Sequence, residues 1–254
     1  MDPVPLAFPP APEPVSEASI RGQARFGGAL YLIIIVGGVF GEAFIRGRIV
    51  VAGDARATAA NIAAFEPLWR FGVAAELFML LCSVVLALVL YVLLRPVSRE
   101  LALLAMLFNL VTIAIEAANE QRLLEALFPL GEAGYLAAFE PEQLRALSYL
   151  SLRSYSHGFG LGLLFFGCEC LILGYLIFGS GYLPRTIGVL MQLAGASYLA
   201  NTFALLLSPV VAGRIFPAIL APALIGEASL CLWLLVKGVD EAGWNARISY
   251  RWGS

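Results

Sequence analysis

Histidine occurs once in the 254-residue chain, at His157. That scarcity excludes haem held by paired histidines and the zinc hydrolases of membranes, which need several. The four cysteines, Cys82, Cys168, Cys170 and Cys231, include no CxxC pair. All four lie inside apolar runs, where thiols serve as small packing or lipid-facing groups, so no disulfide is expected. There is no GxSxG elbow, no GxxxxGK[ST] loop and no DxD or DDxxD cluster. Serine hydrolysis, ATP hydrolysis and metal-phosphate chemistry thereby lose their usual signals. A carboxylate-only site for Mg²⁺ or Ca²⁺ stays open, but no catalytic residue, metal or cofactor is assigned. Basic excess is missing as well. The formal net charge is −2, so nucleic acid is not an expected partner.

Charge of either sign is scarce. Charged residues make up 13% of the chain, about half the share of a soluble domain. Their place is taken by apolar residues, at 60% of the sequence with a mean hydropathy of +0.85. The partner this composition demands is a lipid bilayer, and the fold class it implies is all-α, a polytopic helical bundle. About 20 apolar residues let a helix cross the hydrocarbon. Six runs qualify, near 26–45, 71–94, 100–120, 158–178, 186–207 and 216–236.

The stretches outside these runs set the domain boundaries. Residues 1–20 hold six prolines and lack an apolar period, which reads as a disordered Pro-rich tail. With no basic start and no apolar core it does not resemble a signal peptide, so the first run is expected to act as an uncleaved anchor. The membrane domain then covers 21–239, and 240–254 reads as a C-terminal tail lying at the surface. Between the first two runs, Asp54 is placed to cap a short interfacial helix over 55–65. Pro67 is expected to break that helix and Trp69 to anchor at the headgroups. Pro141 suits a first helical turn, so one long helix or two stacked ones over 141–178 should protrude from the bilayer. Residues 208–215 read as a short loop. An even number of spans puts both termini on one side. Lys and Arg divide eight to eight between the two sides, so the positive-inside rule is silent. The expectation of cytoplasmic termini in a bacterial inner membrane rests on the habit of such proteins.

Within this apolar chain, five of the six runs keep a glutamate: Glu42, Glu76, Glu116, Glu169 and Glu227. The fifth run has Gln192 and Asn201 instead. An ionised carboxylate at the centre of a spanning helix costs roughly 2.5–3.5 kcal/mol. Counting along the spans places Glu42, Glu76 and Glu116 near the membrane face opposite the termini. Glu169 and Glu227 come out near the middle. Each has a bland alternative. Glu42 and Arg46 stand at i, i+4, the spacing of a local ion pair. Glu76 and Glu116 lie where side chains reach interfacial water, and Glu169 and Glu227 would be satisfied by single interhelical hydrogen bonds. His157 stands at the entry of the fourth span. Asn109, Thr112, Glu116 and Asn119 or Glu120 line one face of the third. Gly158 and Gly162 have the small-xxx-small spacing of close helix packing.

Five phrases in order, ARFGGALYLIIIVGGVFGE (24–42), VAGDARATAANI (51–62), ALVLYVLLRPVSRELALLA (87–105), SGYLPRTIGVL (180–190) and APALIGEASLCLWLLVKG (221–238), resemble a family of bacterial multi-pass membrane proteins known as domain of unknown function 4386. The resemblance implies one membrane domain of six or seven helices and brings no established activity.

The function expected from the residues is binding or transport of a small cation, proton or polar solute through a glutamate-lined cavity. Glu169 and Glu227 form its deep site, with Glu116, Glu76, Glu42, Asn201 and His157 on the way in. Two readings from other classes stay open. One is a non-catalytic sensor or partner whose glutamates pair with another membrane protein. The other is an intramembrane enzyme acting on a lipid or quinone head group with the same carboxyls as acid and base.

Overall fold

The computed structural model describes residues 17–252, with side chains from 20 to 249. The expected Pro-rich tail lies outside the described residues up to position 16, and from 17 the chain is already helical. Helix α1 (Glu17–Phe40) widens into a π-helical stretch, Gly41–Arg46, and closes with the single turn α2 (Gly47–Ile49). Helix α3 (Ala55–Ala64) starts where expected, the Asp54 carboxylate accepting from Ala57 N at 2.9 Å. The break between it and α4 (Glu66–Leu94) falls at Phe65. Pro67 does not cause it. It sits in the first turn of α4, where its missing N–H is no loss. Ser98 caps α5 (Arg99–Glu125), accepting from Leu101 N at 3.2 Å.

Two 3₁₀ turns, Phe128–Leu130 and Gly134–Ala138, lead to α6 (Pro141–Ser180). Its 40 residues make a rod about 60 Å long, twice the hydrocarbon thickness of about 30 Å. A reciprocal capping box between Glu140 and Gln143 opens α6, and Gly181, at φ +81°, ends it in the left-handed region. The turn leads into α7 (Arg185–Leu207). Residues expected as loop then form α8 (Pro209–Ile215), followed by a 3₁₀ turn at Ala218–Leu220, α9 (Ala221–Val236) and α10 (Glu241–Trp252).

Among the described residues six helices are long and apolar enough to cross a membrane, and there is no strand. The six spans pack in chain order as a closed ring: α1 on α4, α4 on α5, α5 on α6, α6 on α7, α7 on α9, and α9 back on α1. Outside, each span presents large apolar side chains, such as Val36, Leu81, Leu107, Phe178, Leu193 and Leu232. Inside, Cys170, Leu176, Ile177, Met191, Leu230 and Leu234 are shut off completely or nearly so. The tightest wall is α6 on α7. A Cβ on Gly188 would stand 2.7 Å from Gly174 O, and one on Gly195 would stand 2.6 Å from Gly167 O. In each helix the two glycines are seven residues apart, so two backbone contacts recur along one seam.

The C-terminal stretch forms α10, which lies against the bundle with most of its side chains exposed or half-buried and one driven inward. Trp244 is 2% exposed, and its indole N–H donates to Leu93 O at 3.1 Å. The Tyr182 hydroxyl donates to the same carbonyl at 2.6 Å. Burial pushes that hydroxyl well up from its ordinary range, which keeps it a donor. Leu93 lies in the last turn of α4, where carbonyls have no helical partner, so two aromatic donors finish that helix. Arg21 near the start of α1 faces Glu241 of α10 at 3.6 Å, so the start of α1 and α10 share one face of the bundle.

Trp69 departs from its expected place at the headgroups. It is 2% exposed and donates its indole N–H to Leu123 O at 2.9 Å. With Ile45, Ile49, Ile62, Val73, Leu123, Leu152 and Tyr155 it fills a second core at the end of the ring away from the termini. A buried tryptophan needs a partner for its N–H, and the Leu123 carbonyl supplies it.

Candidate functional site

The buried carboxyls and the side chains bonded to them fall into two clusters, an outer one on the π-helical stretch, α4, α5 and α6 and a deep one on α1, α5, α6, α7 and α9. The outer cluster is built around Arg46, the last residue of the π-helical stretch. Such stretches shift the face on which the following residues emerge and are frequent at functional sites. Arg46 Nη1 donates to Glu76 Oε1 on α4, and its Nε donates to Glu42 Oε2 at 2.7 Å. The guanidinium carbon lies 5.2 Å from the ring centre of Tyr155 on α6. The Tyr155 hydroxyl donates to Glu76 Oε2 at 3.2 Å. Gly41 leaves the room, for a Cβ there would stand 3.0 Å from Glu76 Oε1.

From α5 come Glu116, Asn119 and Glu120. Glu116 rests against Gly162 and Asn119 against Gly158, each filling space that a Cβ on α6 would occupy. The small-xxx-small pair thus makes room for polar side chains rather than for a second backbone. Asn119 Nδ2 also donates to Tyr155 O at 2.9 Å. Glu120 is 4% exposed, and its Oε2 is buried without a partner.

In the deep cluster Glu169 is 3% exposed and accepts from Asn109 Nδ2 at 2.7 Å. Glu227 accepts from two tyrosine hydroxyls, Tyr198 on α7 and Tyr31 on α1 at 3.2 Å. The Glu169 and Glu227 carboxyls are near enough to act on one another electrostatically, as are both with Tyr31. No lysine or arginine pairs with either among the described residues. Thr112, between Asn109 and Glu116 on α5, turns its hydroxyl back to Phe108 O at 3.0 Å.

The seven residues singled out from the sequence therefore scatter. Glu76 and Glu116 join the outer cluster, with Glu42 on its exposed rim in the i, i+4 pair with Arg46. Glu169 and Glu227 make the deep one. Asn201 is buried on α7 but hydrogen-bonds none of the five carboxyls. His157 is exposed, and its Nδ1 meets Arg153 O at 2.8 Å, a local contact along α6 that leaves it out of both clusters. Sequence reasoning missed Glu120, Tyr155, Tyr31 and Tyr198 as site residues and saw Arg46 only as a neighbour of Glu42. Tyrosine inside an apolar run was the available signal, since a buried hydroxyl needs a partner.

Room is scant. A void of about 10 Å³ lies beside Arg46, Trp69 and Glu76, enough for about one water molecule. A larger opening of about 310 Å³ lies at the loop end, lined by Arg70, Phe128, Glu132 and Tyr135 among others, and includes none of the seven. Among the described residues no three His, Cys, Asp or Glu side chains are grouped to hold a metal ion. What the two clusters can do chemically is hold protons or hydrogen-bonded charge inside a tight bundle.

A protein of Archaeoglobus fulgidus, described as an uncharacterized protein, is 29% identical over 159 residues, which is 63% of this chain and 78% of the relative. No solved structure matches. The model of the family described as domain of unknown function DUF4386 matches residues 26–238. That stretch begins inside α1 and ends just past α9, so it takes in every carboxyl of both clusters, and the chain belongs to that family.

Proposed function

We propose that the protein binds and moves a small cation, the proton included, by way of its buried carboxyls. The observation that carries this reading is an imbalance of charge. Glu76, Glu116, Glu120 and Glu169 are each less than a tenth exposed, and Glu227 is held beside them by two tyrosines. Arg46 pairs with Glu76 alone of the five, and among the described residues the other four have no lysine or arginine partner. In a bundle surrounded by hydrocarbon an unmatched carboxylate is costly. Each such group therefore gains by taking up a cation or a proton when one arrives. Size argues against a larger polar solute, because the void beside Glu76 is water-sized.

Reconstituted into liposomes, the protein should dissipate an imposed proton or sodium gradient, followed with a dye in the lumen. Replacing Glu169 and Glu227 together by glutamine keeps the side-chain shape and should abolish the flux while the protein elutes and folds as before. Unchanged flux in that double variant would end the proposal.

A further inference from the structure

The opening of about 310 Å³ at the loop end is lined by no member of either carboxyl cluster. Its volume falls in the range of about 300–1,000 Å³ common to small-molecule sites. One wall is the start of α4, with Glu66 and Arg70. The other is the stretch between α5 and α6, with Phe128, Glu132 and Tyr135, and the buried Leu127 joins them. Both walls stand just beyond an apolar run, 71–94 on one side and 100–120 on the other, which puts the opening at the level of the headgroups.

The chemistry of the lining selects a cation. Arg70 Nε donates to Glu66 Oε1 at 2.8 Å, so those two charges offset each other. Glu132 is exposed and pairs with no lysine or arginine among the described residues. One negative charge is therefore left over, and it opposes an anion. Phe128 and Tyr135 are 57% and 68% exposed, so the protein leaves most of both rings uncovered. The face of an aromatic ring attracts a cation placed over it. Size then separates the kinds of cation. A water molecule's share of liquid is about 30 Å³, so the opening has room for about ten, far more than a bare metal ion needs. Ca²⁺ takes about six to eight oxygen ligands, whereas the lining offers the carboxyls of Glu66 and Glu132 alone. An ammonium ion with carbon substituents uses the whole set, its charge against Glu132 and its substituents against the rings and Leu127.

We propose that this opening is a binding site for a substituted ammonium ion of the choline or ethanolamine class, with Glu132 as counter-charge and Phe128 and Tyr135 as its aromatic walls. Free amines present that group, and so do the headgroups of phosphatidylcholine and phosphatidylethanolamine. The site goes beyond the cation flux proposed above, and neither depends on the other.

Equilibrium dialysis of radiolabelled choline tests it, using the full-length protein in nanodiscs of phosphatidylglycerol, a lipid without an ammonium group, with empty nanodiscs as the blank. Binding should saturate, and tetramethylammonium should displace the label where an equal concentration of sodium does not. Glu132→Gln and Tyr135→Leu should each weaken binding about two- to five-fold. The triple variant Phe128→Leu/Glu132→Gln/Tyr135→Leu should weaken it about ten-fold or more. Glu142→Gln, exposed at the same end but outside the lining, should bind as the unaltered protein does. Absence of saturable binding, displacement by sodium as readily as by tetramethylammonium, or unchanged affinity in the triple variant overturns the site. Competition by inorganic phosphate would mark an anion site and overturn it too. Should the triple variant fail to fold, Glu132→Lys, which sets an ammonium of its own in the opening, must abolish binding. Nanodiscs that include phosphatidylcholine or phosphatidylethanolamine identify the source. A headgroup seated in the opening raises the choline concentration needed for half-saturation, and an unchanged midpoint assigns the site to free amines.

Discussion

The sharpest test of the outer cluster is to remove its one positive charge. Arg46 and Glu76 have side chains 17% and 10% exposed, so solvent screens them little. Taking away one partner of a buried pair costs about 3–5 kcal/mol, because the other charge is left uncompensated. The contact between the guanidinium and Tyr155, 5.2 Å to the ring centre, adds about 0.5–1 kcal/mol. Glutamine at position 46 retains a hydrogen-bond donor for Glu76, so we expect Arg46→Gln to lose about 3–4 kcal/mol, toward the low end of that range. The double variant Arg46→Gln/Glu76→Gln removes both charges and should lose less than Arg46→Gln alone, with a coupling of about 1.5–3 kcal/mol. Glu42 bonds the same arginine, yet its side chain is 70% exposed. Glu42→Ala should therefore cost no more than about 0.5 kcal/mol. Equilibrium unfolding by SDS in mixed micelles, followed by tryptophan fluorescence and circular dichroism, measures the unaltered protein, Arg46→Gln, Glu76→Gln, the double variant and Glu42→Ala. Trp69 borders the same void as Arg46 and Glu76 and reports locally. If Arg46→Gln and Glu42→Ala lose the same amount, or the double variant loses the sum of its singles, the buried pair of Arg46 and Glu76 does not hold the cluster together.

Two further predictions concern packing. Gly188→Ala places a methyl 2.7 Å from Gly174 O and should destabilise the bundle by about 1–3 kcal/mol in the same unfolding assay. Gly38→Ala meets nothing within 4 Å and should leave stability unchanged or raise it by up to about 1 kcal/mol; equal losses in the two variants would show that the α6–α7 seam is not close-packed. Trp244→Ala empties a side chain 2% exposed and strips a donor from Leu93 O. It should cost about 3–5 kcal/mol and lower the melting temperature of the whole protein, whereas an unchanged melt would mean that α10 docks without contributing to stability.

Span positions were legible because length and apolar content alone decide them. The cap at Asp54, the start of α6 at Pro141 and the ion pair of Glu42 with Arg46 were legible too, being local. What sequence reading missed depended on neighbours far along the chain. Trp69 resembles a headgroup anchor until the carbonyl of Leu123, 54 residues away, is known to face it. Tyr31 and Tyr198 look like ordinary apolar-run aromatics, and only the approach of α9 to both α1 and α7 gives their hydroxyls a carboxyl to meet. The π-helical stretch at Gly41–Arg46 left no mark in the apolar periodicity, although it delivers Arg46 to Glu76. His157 drew notice by being the lone histidine, and rarity is a property of composition rather than of position. Glu120 was visible on the polar face of its helix. That its Oε2 is buried without a partner depends on how the spans pack, and nothing in the local pattern could tell it apart from Asn119 beside it.

Packing the spans as a closed ring in chain order has a bearing on how the protein is made. Every element of the outer cluster lies between Glu42 and Gly162, so a nascent chain has all of it once α6 has emerged. The deep cluster must wait. Glu227 is on the last span and binds Tyr31 on the first, 196 residues earlier. Until α9 arrives, the inner face of α1 has only α4 as a neighbour, and Tyr31 and Tyr198 have no carboxyl to donate to. Biosynthesis thus sets the order in which the two clusters form, and arrival of the last span completes the deep cluster in the same step that shuts the ring.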